Sequence, residues 1–291
     1  MWLVVGGDSE IGAALYRRLV VLDRPAAATT RRPELAGPRR PFLDLAAPLD
    51  GWKPPEGTRA TCITAAIAHL AACAADPATS AAVNVTGTLA LAERLIPRRI
   101  HILFLSSNQV FDGTTPHVAA ETPTCPVSEY GRQKARTEAA LKAHMERGAP
   151  IAILRLAKVL SPTMALLRGW VEALSAGQRV RAFRDMTMAP TPIDIVVDAI
   201  IALMREEARG IFQLTGPRDA SYADISRHLA IRIGTDPALV EPVSAAAFMP
   251  AGATPLHTTL DSTALRNAYG LVVPDVWQTL QPFVSLAAGL K

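Results

Sequence analysis

Three side chains in the middle of the sequence could together reduce a carbonyl group. Tyr130 and Lys134, in "SEYGRQK", lie four residues apart and share one face of a predicted helix. Ser107 ends the apolar run "IHILFLSS", and open α/β sheets bind ligands at such carboxyl ends of strands. Tyrosine can protonate a developing alkoxide, a nearby ammonium lowers the tyrosine pKa, and serine can hydrogen-bond the carbonyl oxygen. We therefore predict that Ser107, Tyr130 and Lys134 are catalytic. Tyr130 and Lys134 are also predicted to contact the cofactor, Lys134 through the cofactor's ribose hydroxyls.

A small-residue turn near the first residue could hold the cofactor that such a reduction needs. "MWLVVGGDSEIGAALYRRL" is typical of a strand, a turn and a helix. Helix N-terminal N–H groups suit a pyrophosphate, glycines allow its close approach, and Ser9 could add a hydroxyl. An ordinary strand-to-helix turn would also look like this. The predicted cofactor-binding residues of the turn are Gly6, Asp8, Ser9, Glu10, Ile11 and Gly12.

Two arginines follow the predicted second strand, "AAATT". NAD enzymes usually place a carboxylate here for the ribose hydroxyls, whereas arginine suits a 2′-phosphate. Arg31 and Arg32 therefore indicate NADP(H), although a solvated pair of loop residues is the alternative.

The elements that must position these residues alternate between apolar strands and amphipathic helices up to Leu160. This alternation predicts an α/β fold with a Rossmann-type, doubly wound parallel sheet and a smaller C-terminal α/β substrate lobe. We assign residues 1–157 and about 190–217 to an NADP-binding domain. Residues 158–189 and 218–291 form the predicted substrate-binding lobe.

Composition excludes several other classes of protein. The net charge of the 291 residues is only +4 and the basic residues are scattered, which argues against a nucleic-acid tail. Three irregularly spaced cysteines favour neither a disulfide framework nor a zinc site, and no metal is expected. Neither a signal peptide nor a membrane span is predicted, so we expect a cytoplasmic protein.

Several motifs resemble those of the extended short-chain dehydrogenases, and specifically the dTDP-4-dehydrorhamnose reductase family, over most of the chain. They are the glycine turn, "NVTGTLALAERL", "LSSNQVFDG", "YGRQKARTE" and "RDMTMAPT". The resemblance implies a Rossmann lobe, NADPH, reduction of a 4-keto nucleotide sugar and a homodimer. It also implies further cofactor contacts, from Asp44, Leu45, Ala65, Ala66 and Ile67.

The predicted sugar pocket departs from the family pattern. Asn108 and Gln109 replace the Asp-Tyr pair after the catalytic hydroxyl, and Lys158 replaces a tryptophan, while Asp185 is retained. These four residues and Ser107 are the predicted substrate-binding residues. Because three of them depart from the family pattern, the substrate could be a sugar other than that of the rhamnose pathway.

The same motifs bear on three alternative functions. A sugar-nucleotide 4,6-dehydratase needs acids where Asn108 and Gln109 stand, and neutral amides cannot do that work. A nucleotide-sugar 4-epimerase stays open, although the arginine pair favours net reduction. A non-catalytic regulatory partner that binds NADP or a nucleotide sugar also stays open. Arg155 and Asp194 are a candidate internal ion pair.

Overall fold

The structure, a computed structural model, describes residues 1–248 and 254–288. Twelve strands occur within them: β1 (Trp2–Val5), β2 (Ala26–Ala28), β3 (Ala60–Ile63), β4 (His101–Ser107), β5 (Ile151–Leu156), β6 (Val159–Leu160), β7 (Val180–Phe183), β8 (Thr187–Met188), β9 (Thr191–Pro192), β10 (Gly210–Leu214), β11 (Ala220–Ser221) and β12 (Val240–Val243). The longer strands coincide with the apolar runs that predicted them.

Eleven α-helices lie in the same described part of the chain: α1 (Glu10–Val21), α2 (Leu70–Ala75), α3 (Pro77–Ala81), α4 (Thr88–Leu95), α5 (Glu129–Glu146), α6 (Ala165–Ser175), α7 (Ile193–Arg205), α8 (Tyr222–Ile233), α9 (Thr263–Tyr269), α10 (Val276–Thr279) and α11 (Gln281–Ala288). A π-helical turn, Ala82–Gly87, joins α3 to α4. No helix in the described ranges is long and apolar enough to cross a membrane.

Six parallel strands form the large sheet, in the order β10-β5-β4-β3-β1-β2. The chain moves from β1 outward to β2 and then returns to the other side of β1 with β3. The carboxyl ends of β1 and β3 therefore flank a topological switch point, where open α/β sheets bind ligands.

Helices cover both faces of this sheet because its strands are apolar on both sides. Along β4, Leu103 and Leu105 pack in a core with α1 and α7, whereas Ile102 and Phe104 pack in a second core with α4 and α5. This two-sided packing confirms the predicted doubly wound α/β fold.

A third core lies beside the large sheet, built mainly by α6, α8, β7 and β12 around Leu167, Val171 and Leu229. It belongs to segments that the sequence assigned to the substrate lobe. However, Leu265 of α9, also assigned to that lobe, packs in the core of the large sheet. The domain boundaries themselves remain a prediction.

Candidate active site

The glycine turn between β1 and α1 is built by hydrogen bonds within the turn. The Ser9 hydroxyl donates to the Gly6 carbonyl at 2.7 Å and accepts from the Gly12 N–H at 3.0 Å, so Ser9 is the N-cap of α1. This corrects the idea that Ser9 offers a free hydroxyl, because its proton is already donated. The N–H groups of Glu10 and Ile11, at the first two helical positions, have no intrahelical acceptor.

Close backbone approach explains the glycines at both ends of this turn. A Cβ at Gly12 would lie 2.2 Å from the Gly6 oxygen, and one at Gly6 would lie 2.7 Å from the nitrogen of Ala65. Gly6 also has a φ of +90°, which favours glycine. The turn therefore lies directly against the end of β3.

A cavity of about 210 Å³ opens at this switch point. Eight of the predicted cofactor residues line it: Gly6, Asp8, Ser9, Arg31, Leu45, Ala65, Ala66 and Ile67. Four further lining residues carry no signal in the sequence pattern: Val5, Thr29, Leu43 and Val83. The small residues leave room and Arg31 adds a positive charge, so the cavity fits part of a phosphorylated dinucleotide.

The other predicted cofactor residues lie around this cavity rather than in its lining. Glu10 accepts hydrogen bonds from the Ser161 and Thr163 hydroxyls, and Ile11 packs against the sheet core. The Asp44 carboxylate accepts a hydrogen bond from the N–H of Ala46, while Leu43 and Leu45, on either side of Asp44, line the cavity.

The loop after β3 is held in place by a buried amide. Asn84, in the π-helical turn, accepts the Ile67 N–H at 2.8 Å and donates to the Ile67 carbonyl at 2.9 Å. It also donates to Gln133 of α5 at 2.8 Å. The "NVTGT" motif thus fixes the wall of the first cavity against the helix that carries the candidate catalytic pair.

Ser107 lies at the carboxyl end of β4, where the chain turns into a short 3-10 segment. Its hydroxyl accepts the Gln109 N–H at 3.2 Å and contacts the Asn108 side-chain oxygen at 3.3 Å. The Gln109 side chain in turn accepts from Ser128 at 3.1 Å. Ser128 is the N-cap of α5, so this chain of contacts links Ser107 to the start of the next helix.

Tyr130 and Lys134 lie on the face of α5 that is turned toward the sheet. The Lys134 ammonium donates to the carbonyl of Leu105 at 2.7 Å and lies 5.8 Å from the centre of the Tyr130 ring. Burial lowers the pKa of Lys134 to about 8. Burial also raises the pKa of Tyr130 above its usual value. The phenol is therefore neutral at physiological pH and able to donate a proton. That a nearby ammonium and a bound nicotinamide cation favour the tyrosinate stays a prediction.

Gly131 brings α5 into contact with the loop that follows Ser107. A Cβ on Gly131 would lie only 2.0 Å from the Gln109 carbonyl oxygen. No side chain fits there unless the helix or the loop moves.

We expect Gly131→Ala to destabilise the protein by about 1–3 kcal/mol, as overpacking does, and to lower turnover because α5 and the Ser107 loop separate. Urea unfolding and steady-state kinetics measure the two effects. Gly169→Ala in α6 is the matched control, since a Cβ there meets nothing within 4 Å. It should be neutral or stabilising, as helix propensity predicts. Equal behaviour of the two variants would contradict the close-approach explanation.

A second cavity, of about 310 Å³, brings the candidate catalytic and substrate residues together. Ser107, Asn108, Gln109, Tyr130 and Lys158 all line it. Lys134 is buried and is not among the residues that line this cavity. Met186, in the motif "RDMTMAPT", also lines it. Sequence reasoning missed nine further lining residues, most of them from distant segments: Ala68, Leu70, Ala157, Val159, Thr187, Met188, Tyr222, Pro255 and Thr258.

Two aspartates do not line this cavity but hydrogen-bond to neighbouring segments. Asp185, a predicted substrate residue, accepts the Ser244 hydroxyl and the N–H of Ala245, so its neighbour Met186 and not its carboxylate lines the cavity. Asp219 accepts both the N–H and the hydroxyl of Thr258, at 2.7 and 2.8 Å. It therefore anchors the late segment that supplies part of the cavity wall.

Comparison with known proteins assigns this chain to a family. A family model described as the RmlD substrate binding domain matches residues 1–287. The chain belongs to this family. The dTDP-4-keto-6-deoxy-D-glucose reductase of Streptomyces niveus is 30% identical over 281 residues, which cover 96% of this chain and 94% of that relative. Family membership confirms the resemblance read from the motifs.

Two solved structures show that the family shares its fold with other nucleotide-sugar enzymes. A dTDP-4-dehydrorhamnose reductase from Bacillus anthracis, in complex with NADP, has a TM-score of 0.80 at 16% identity and covers 98% of each chain. A UDP-glucose 4-epimerase from Thermus thermophilus, in complex with NAD, has a TM-score of 0.80 at 20% identity and covers 100% of this chain and 99% of its own. Likeness at such low identity establishes the fold and leaves the reaction to the site residues.

Proposed function

We propose that this protein is an NADPH-dependent reductase that reduces a keto group on a nucleotide sugar. The observation that carries the proposal is the second cavity, which Ser107 and Tyr130 line together, with the Lys134 ammonium beside the phenol. The reductase named among its relatives supports the same reaction class.

Each of the three residues has a separate task in this proposal. The Ser107 hydroxyl hydrogen-bonds the substrate carbonyl oxygen and stabilises the charge that builds on it. Tyr130 donates its phenolic proton to that oxygen, and its raised pKa keeps the proton in place beforehand. Lys134 holds a positive charge near the phenol, which stabilises the tyrosinate left after proton donation.

NADP(H) is the cofactor that the first cavity fits best. The backbone of the turn around Gly6 would hold the pyrophosphate, Leu45 and Ile67 would contact the adenosine half, and Arg31 would face the 2′-phosphate. The nicotinamide supplies the hydride when the cofactor is bound.

The substrate side of the proposal rests on the residues around the catalytic group. Asn108, Gln109 and Lys158 offer two amides and one amine to a sugar, and none of them can serve as the acid of a dehydratase. We also propose, from the family resemblance, a homodimer that acts in the cytoplasm; three free cysteines fit a reducing compartment.

An NADPH-oxidation screen against a panel of 4-keto nucleotide sugars tests the proposal. We expect consumption of NADPH with at least one member and formation of one hydroxyl epimer. Conversion of a 4-hydroxy nucleotide sugar without net NADPH consumption would instead favour the epimerase. Tight NADPH binding with no turnover across the panel would favour the regulatory partner.

A further inference from the structure

A carboxylate stands at the edge of the cofactor cavity, in a position that would oppose a 2′-phosphate. Asp8 lines the first cavity together with Arg31. A free carboxylate near the adenosine ribose favours NAD, because it accepts hydrogen bonds from ribose hydroxyls and repels a phosphate dianion. The arginine pair alone therefore does not decide the cofactor preference.

Both oxygens of this carboxylate are already occupied. Oδ1 contacts the Arg40 guanidinium at 2.6 Å, and Arg32 lies 3.6 Å from the same oxygen. Oδ2 accepts the hydroxyl proton of Thr30 at 2.7 Å. Burial opposes the charged form, but the Thr30 and Arg40 hydrogen bonds and the Arg32 charge hold the pKa of Asp8 below its ordinary value. Asp8 thus stays ionised, and its two oxygens interact with Thr30, Arg32 and Arg40 of the protein itself.

Arg40 reaches Asp8 because the chain runs back alongside β2. The Ala28 N–H donates to the Arg39 carbonyl at 3.0 Å, and the Thr30 N–H donates to the Pro41 carbonyl at 3.0 Å. This backbone pairing fixes the segment that carries Arg40 against the glycine turn. The adjacent Arg39 makes no ion pair with any residue in the described ranges, so only one of the two arginines has this role.

We propose that Arg40 is a specificity-determining residue that masks Asp8, so that the cavity accepts a dinucleotide with a 2′-phosphate. The guanidinium groups of Arg32 and Arg40 face the Asp8 carboxylate, and Arg31 lines the same cavity, so this cluster of three arginines and one aspartate keeps a net positive charge. The inference rests on the proposed NADP(H) site and adds a residue that the strand-end pattern does not contain.

Calorimetric titration of the substrate-free protein with NADPH and with NADH tests this role. Arg40→Met should weaken NADPH binding about tenfold, the size of a charge interaction at a half-exposed site, and should not weaken NADH binding. Arg39→Met, the matched control, should leave both affinities unchanged. Arg31→Ala should also lower NADPH affinity, because that residue faces the phosphate.

The double variant Asp8→Asn/Arg40→Met separates masking from direct phosphate contact. If Arg40 masks Asp8, removing the carboxylate should restore most of the NADPH affinity that Arg40→Met loses. A double variant as weak as the single one, or an equal loss in Arg39→Met, would overturn the proposal. Wild-type preference for NADH would overturn it as well, yet leave the reductase function standing. Failure of the wild type to bind either dinucleotide would instead refute the proposed function.

Discussion

Tyr130→Phe should lower kcat by about 10²–10⁴-fold, the usual contribution of a general acid, while NADPH affinity stays close to that of the wild type. The change removes one oxygen and keeps the ring that lies beside the Lys134 ammonium. The hydroxyl of Ser107 still orients the carbonyl, so the loss reflects the missing proton donor. Single-turnover NADPH oxidation measures the chemical step, and calorimetric titration with NADPH measures cofactor affinity. Together they separate a loss of proton donation from a loss of binding.

Tyr269→Phe provides the control for this experiment. Tyr269 is on α9 and packs against the core of the large sheet, away from the second cavity. Its loss should leave kcat unchanged. If Tyr130→Phe kept wild-type turnover, or lost cofactor affinity while turnover per bound cofactor stayed constant, Tyr130 would not be the proton donor.

Glu138→Ala should lower the free energy of unfolding by about 3–5 kcal/mol, the cost of leaving a buried charge unpaired. The side chains of Glu138 and Arg155 are only 5% and 3% exposed, and their closest N–O distance is 2.7 Å. Arg155 also donates to the Ala120 carbonyl and to Gln213, and these hydrogen bonds hold its guanidinium in place when the carboxylate is removed. Urea unfolding with an unchanged m-value would measure the loss.

Glu172→Ala is the matched control, because Glu172 pairs with Arg168 at 3.8 Å on an exposed helix surface. We expect a loss of at most about 0.5 kcal/mol there. Since Glu138 lies on the same helix as Tyr130, the core variant should also lower kcat. Similar stabilities for the two variants would mean that the buried pair contributes no more than a surface one.

The parts of the fold that sequence predicts are those specified by local pattern. The alternation of apolar strands and amphipathic helices correctly predicted the doubly wound sheet, since burial on both faces requires apolar residues at every strand position. The spacing of Gly6 and Gly12 likewise reflects a local need for close backbone approach. Ser107 and Tyr130 could be paired because strand ends and helix faces follow from those elements.

What the sequence could not specify depends on packing between distant segments. Arg155 was matched with Asp194, but its partner is Glu138, chosen by the way α5 lies on β5. Arg40 belongs to a loop without periodicity, and only its pairing beside β2 brings it to Asp8. The "NVTGT" motif forms a π-helical turn in which Asn84 contacts Ile67, a backbone detail that helical periodicity does not specify.

The hydrogen bonds between Asp219 and Thr258 have a consequence for folding during protein synthesis. Protein synthesis proceeds from the amino end, and early segments fold first. The glycine turn between β1 and α1 leaves the ribosome long before the stretch around Thr258, which Asp219 holds. All residues that line the first cavity, from Val5 to Val83, are therefore made well before the Thr258 side of the second cavity. Translation that stops before Thr258 would yield a polypeptide whose second cavity lacks one wall and whose large-sheet core lacks Leu265.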